Sequence, residues 1–175
     1  LEYLGRTITA DGIQISQKAL ESIQNMPAPK IKTQIRSILG MFSFYRQYVP
    51  HFANMSSRLY DLVKDYIPFT WDEGHESAFQ SLKEAIKKEM TLAYFDTSLE
   101  TQTFLTTDGS GEGIGAMLSQ VFNGQKRPVY LISRKTTAQE SKFSAFELET
   151  LAVIWAVERL HQFLYGRHFT IRTDH

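Results

Sequence analysis

Three acidic residues, Asp108, Glu149 and Asp174, stand in segments whose patterning puts two of them at strand ends and the third on a helix between. Gln102-Thr-Phe-Leu-Thr-Thr-Asp108 alternates polar and apolar residues and stops at the flexible run Gly109-Ser-Gly-Glu-Gly113. His168-Phe-Thr-Ile-Arg-Thr-Asp174 alternates again and repeats the Thr-Asp ending. Between them, Ala145 to Leu164 is a long apolar-periodic stretch closed by Gly166, the signature of a helix and its stop. A strand, a crossover helix and a second parallel strand bring both strand C-termini to one edge of a sheet, so Asp108 and Asp174 are expected side by side. Glu149 joins them if the helix turns it inward. Ala152 and Ala156 share its face and are small enough for close approach to a sheet, whereas Glu147 points elsewhere and is the second choice. Gathered carboxylates repel one another unless a cation neutralises them, and an all-oxygen set favours magnesium or manganese. Taken singly, each acid reads more simply as a cap, turn or surface residue; three in register point to a nuclease-like metal centre.

The elements that must position these acids follow from punctuation and periodicity. Leu1 to Ala10 reads as a strand interrupted at Gly5, with Asp11-Gly12 as a turn. Ser16 is the expected cap of a helix through Met26 with Leu20 and Ile23 inward, stopped by Pro27-Ala-Pro29. Thr33 is the expected cap of a second helix, with Ile35, Ile38, Leu39, Phe42 and Tyr45 at helical spacing. A third helix is expected from about Ala53 to Lys64, and the three form a small bundle. Asp72 caps a further helix to about Met90, on which Phe79, Leu82 and Ile86 share a face, read as a connector. Gly113 to Val121 and Arg127 to Ser133 flank Asn123-Gly124, a strong hairpin signal. The fold class is therefore α/β, or α+β taken whole: a helical bundle followed by a mixed sheet with a crossover helix.

Composition narrows the classes. With 175 residues, 42% of them apolar and 13% aromatic, the chain can bury a sizeable core. No apolar run approaches the length of a bilayer span, and the absence of cysteine excludes disulfides and thiolate metal sites. The zero net charge is unevenly spread: residues 14–65 carry seven Lys and Arg against three acids, and residues 66–100 carry three against seven. A basic helical region suggests contact with phosphates. Within it Arg36, Gly40 and Phe44 recur every four residues along one helix side. That row could settle against a nucleic-acid groove, or Phe44 could belong to the core and Gly40 permit a tight helix crossing.

Ordered motifs then give a resemblance. Tyr3-Leu-Gly5, Met26-Pro-Ala-Pro29, Ile38-Leu-Gly-Met41, Tyr48-Val-Pro-His-Phe52 and Phe69-Thr-Trp71 resemble the end of the palm and the thumb of a gypsy-type LTR-retrotransposon reverse transcriptase. Thr107-Asp-Gly-Ser110, Gly113-Ile-Gly-Ala-Met-Leu-Ser-Gln120, Glu149-Thr-Leu-Ala-Val153, Leu164-Tyr-Gly-Arg167 and Arg172-Thr-Asp-His175 resemble the ribonuclease H domain that follows. The resemblance implies primer-grip strands over 1–13, a thumb over 14–66, a connector with a helix over 67–99 and a ribonuclease-H-like domain over 100–175. It implies nucleic-acid contacts at Tyr3, Leu4, Gly5, Arg36, Gly40 and Phe44, and a catalytic, metal-binding set of Asp108, Glu149 and Asp174 holding two magnesium ions, with manganese as a substitute. A fourth carboxylate is expected on a segment beyond His175.

The implied parent copies RNA into DNA and hydrolyses the RNA strand of RNA–DNA hybrids. Its expected partners are the hybrid, the template-primer duplex and the polymerase, protease and integrase of the same polyprotein, inside a cytoplasmic virus-like particle. The polymerase aspartates are not in these 175 residues, so this portion alone is expected to be inactive or weak as an enzyme. The alternative implied by the same resemblance is a non-catalytic connection module that binds duplex without cutting.

Overall fold

The chain folds around a four-stranded sheet with helices on both faces, as a computed structural model shows for residues 1–88 and 90–174. The N-terminal strands β1 (Glu2–Tyr3), β2 (Arg6–Ile8) and β3 (Ile13–Ile15) form a small antiparallel sheet. The single strand expected over Leu1–Ala10 is instead a hairpin: Leu4 and Gly5 both take positive φ, 47° and 74°, and turn the chain back. Such a turn costs an ordinary side chain, and a leucine gives no sign of it. Gly5 also serves the close approach expected of it, since a Cβ there would collide with the Tyr45 hydroxyl.

Helix α1 (Gln17–Gln24) starts at Ser16, whose hydroxyl accepts from the Ala19 N–H, and buries Leu20 and Ile23 as its spacing predicts. Helix α2 (Lys32–Phe44) begins two residues earlier than expected, with Ile31 as an N-cap that makes no side-chain bond and Thr33 inside the first turn. Helix α3 (Phe52–Asp61) and α4 (Glu73–Lys87) follow. The capping box of Asp72 and His75 opens α4, and Phe79, Leu82 and Ile86 are fully buried in the same core as Ile35, Phe42 and Leu59. Helix α4 therefore packs as a member of the bundle.

The main sheet runs β6 (Gln125–Lys135), β5 (Gly113–Phe122), β4 (Thr103–Gly109), β7 (Thr170–Arg172). Asn123 and Gly124, both at positive φ, close the β5–β6 hairpin as the Asn-Gly pair requires. Helix α5 (Ala145–Arg159) crosses to β7, and a break at Leu160 sets off the short α6 (His161–Leu164), where one continuous helix was expected. Strand β7 pairs parallel to β4, Thr106 facing Arg172 at the last pair.

Alternation makes the sheet a shared wall. Leu131 packs into the bundle core, and its neighbours Tyr130 and Ile132 pack against the second core, which holds Leu105, Leu118, Ala156 and Leu160. Arg167, in the turn after α6, holds this end of the sheet: its guanidinium donates to Thr103 and to the carbonyls of Asp96, Thr97 and Ser98, and lies over the Phe95 ring.

Candidate active site at the sheet end

Helix α5 reaches the end of β4 because Gly109 has no side chain: a Cβ there would collide with the Leu148 carbonyl. Ala152 and Ala156, both fully buried, continue the close contact along the helix. Glu147 is absorbed in the helix start. Its carboxylate accepts from the backbone N–H of Ser144 at 2.8 Å in a capping box, and that bond holds its pKa below the usual carboxylate range. Upstream, Arg134 grips Glu140 through two bonds of 2.7 and 2.9 Å and lowers its pKa to about 2, fixing the loop that delivers Ser144.

Glu149, two residues on, turns to the sheet and is 7% exposed. One of its oxygens accepts from the Gly109 N–H at 3.3 Å, and the other accepts from the Thr173 hydroxyl at 2.9 Å. Each bond thus reaches the chain neighbour of another acid, Asp108 or Asp174. The parallel ladder ends at the pair Thr106 and Arg172, and each acid, Asp108 and Asp174, follows two residues after a member of that pair. Asp108 lies on the face that carries Phe104, and the Arg172 guanidinium stacks on that ring 4.6 Å from its centroid. Glu149 approaches the same strand ends from the helix face. Asp174 is exposed, and His175, the end of the last motif, lies outside the described residues.

The sheet end therefore gathers the elements that carry the three acids, as their spacing predicts. Among the described residues no three His, Asp or Glu side chains converge closely enough to hold an ion as they stand. Asp108 has a different neighbour: its Oδ2 lies 3.2 Å from Nδ1 of His51, at the start of α3. That histidine was not singled out from sequence. The signal for it is tertiary, because 57 residues separate it from Asp108. Among the described residues no Lys or Arg pairs with Asp108, Glu149 or Asp174. Carboxylate oxygens that no Lys or Arg engages suit a hard divalent cation.

The expected nucleic-acid residues fall in a second region. Tyr3 and Leu4 are exposed at the tip of the β1–β2 hairpin, and with Gly5, α1 and α2 they wall a groove of about 480 Å³. On α2, Arg36, Gly40 and Phe44 all face solvent. Gly40 has no atom within 4 Å of where a Cβ would stand, so it does not serve a helix crossing. Phe44 is 43% exposed, outside the core, with the Arg6 guanidinium 4.4 Å from its ring centroid. Arg36 is engaged with the Asp65 carboxylate at 3.0 Å and the Val63 carbonyl at 3.3 Å.

A mixed sheet flanked by helices, with a parallel strand pair joined by a crossover helix, defines an α/β class. Residues 71–171 match the RNase H-like domain found in reverse transcriptase, and the chain belongs to that family. Domains of this family generally work with divalent metals. The chain is 36% identical over 173 residues to the retrovirus-related Pol polyprotein from transposon 412 of Drosophila melanogaster, covering 99% of this chain and 14% of that protein. It is 35% identical over 188 residues to the corresponding polyprotein from transposon gypsy, covering 100% of this chain and 18% of that one. The chain thus spans less than a fifth of these relatives' length. Among solved structures, the foamy viral protease-reverse transcriptase bound to an RNA/DNA hybrid superimposes with a TM-score of 0.80 at 22% identity, over 99% of this chain and 23% of that one. The dRH form of the same viral protein, bound to double-stranded DNA, gives 0.84 over 99% of this chain and 30% of its own, also at 22% identity. These likenesses show a shared fold of both the helical and the sheet units.

Proposed function

We propose that this chain is the thumb and RNase H-like portion of a retrotransposon reverse transcriptase, and that its sheet end hydrolyses the RNA strand of RNA–DNA hybrids. The observation that carries the reading is Glu149, whose two oxygens reach the chain neighbours of Asp108 and Asp174. Asp108, Glu149 and Asp174 are the residues that would hold divalent ions there, magnesium or manganese. The chemistry such ions would supply there is a lowered pKa for an attacking water and neutralisation of the leaving oxygen. The chain's own part is to hold three carboxylates at adjoining strand and helix ends, with Gly109 admitting the helix and Thr173 orienting Glu149.

Substrate would be recognised by duplex shape and by the RNA 2′-hydroxyl. The exposed row Arg36, Gly40 and Phe44 and the hairpin tip Tyr3-Leu4-Gly5 offer a basic, a flat and an aromatic contact for the backbone and minor groove of that duplex. The longer relatives, which are Pol polyproteins, support placing this chain within such a polyprotein; polymerase, protease and integrase as its neighbours, and cytoplasmic virus-like particles as its place of action, are part of the proposal. A second reading, a connection module that binds duplex without cutting, draws its support from the His51 contact that occupies Asp108.

A reverse transcriptase carrying this chain, given magnesium and an end-labelled hybrid, separates the two. Cleavage of the RNA strand is expected to fall on the order of a hundredfold on Asp108→Asn, since loss even of outer-shell partners costs about 10–100-fold. Hybrid binding without any cleavage by the unaltered protein would favour the connection module.

A further inference from the structure

Helix α3 belongs to the bundle, yet its first residues dock on the sheet beside the candidate active site. The Ala53 N–H donates to the Ser133 hydroxyl at 3.2 Å, the Asn54 amide donates to Ser110 at 3.2 Å, and Arg46 donates to the Ser133 carbonyl. His51, just before the helix, takes a left-handed backbone with φ of 54°, which aims its ring at β4. Directly across the strand pair from Asp108 stands Gly115, where an added Cβ would be at an ordinary contact distance, 3.9 Å, from Nδ1 of that ring. Below it lies a cavity of about 150 Å³ lined by Pro50, His51, Thr106, Asp108, Gly115 and Met117 among others. The Thr106 hydroxyl, on the same sheet face as Asp108, is buried there without a hydrogen-bond partner. That orphaned hydroxyl and the Asp108 carboxylate are polar features of a cavity whose lining is otherwise mostly apolar.

We propose that His51 is a latch on Asp108: the bundle's imidazole and a divalent cation compete for the same carboxylate, so metal binding at the sheet end is coupled to how α3 is docked. The inference rests on reading Asp108 as a metal ligand. Coupling of this kind is reciprocal, so loosening the latch tightens metal binding and bound metal weakens the latch. Both side chains are partly exposed, 52% for His51 and 43% for Asp108, so the contact is modest.

Manganese titrated into the 175-residue chain at constant pH and followed by electron paramagnetic resonance tests this. His51→Gly removes the ring and suits the left-handed backbone, and is expected to bind manganese about threefold more tightly, the size of an exposed ion pair. His51→Asn, which also tolerates that backbone, is expected to shift affinity in the same direction. Asp108→Asn is expected to abolish the site. Unchanged or weaker binding by both His51 variants, with Asp108→Asn still inactive in binding, overturns the latch and leaves the metal reading standing. Unaltered binding by Asp108→Asn, or no binding by the unaltered chain, overturns the metal reading and the latch with it.

Discussion

Alanine at position 40 would have opposite effects on stability and on binding if the exposed face of α2 touches duplex. Gly40 lies in the middle of a 13-residue helix, and nothing stands near its missing Cβ. Gly40→Ala should therefore stabilise the chain by about 0.5–1 kcal/mol, the usual helix cost of glycine, as read by thermal or urea unfolding. The same methyl group stands on the face flanked by Arg36 and Phe44, so hybrid affinity should fall by about threefold, on the order of 0.6 kcal/mol. Increased stability with unchanged affinity would remove that face from the binding surface. Residue chemistry was most legible where spacing decides it: Glu149 was separable from Glu147 because Ala152 and Ala156 mark its face, and the structure gives Glu147 to the helix cap. His51 was not legible, since its contact with Asp108 depends on a left-handed backbone and on docking between units.

At the scale of elements, the sequence announces what local chemistry governs. Ser16 starts α1, Asp72 starts α4 and Asn123-Gly124 turns β5 into β6, each through a side-chain cap or a backbone preference that needs no distant partner. The parallel pairing of β4 with β7 was also legible, because the repeated Thr-Asp endings and the intervening helix leave few other arrangements. Elements set by tertiary packing were less so. The turn at Leu4-Gly5 depends on Tyr45 closing over the glycine, the break at Leu160 follows no Pro or Gly, and α4 joins the bundle through a face that a connector helix would equally carry.

Across the whole molecule, the sheet separates two cores, with Leu131 packed into one and Leu105 and Leu118 into the other, which should make the units unfold together. Trp71 packs on the bundle core and Trp155 on the second core, so each tryptophan reports one of them. With either Trp replaced by Phe, the remaining fluorescence is expected to melt at the same midpoint as the circular dichroism of that variant; separate midpoints would show that the units fold independently.

The same wall brings α3 from one side and α5 from the other to the ends of β4 and β7, where the metal site is proposed. The most direct measurement of that site is manganese binding, by electron paramagnetic resonance, in Glu149→Gln compared with Glu147→Gln. Loss of binding in Glu149→Gln alone, with Glu147→Gln binding manganese as the unaltered chain does because Gln can serve the same capping box, is the predicted result. Binding that survives Glu149→Gln, or that is lost equally in both, would contradict a metal site built on Glu149.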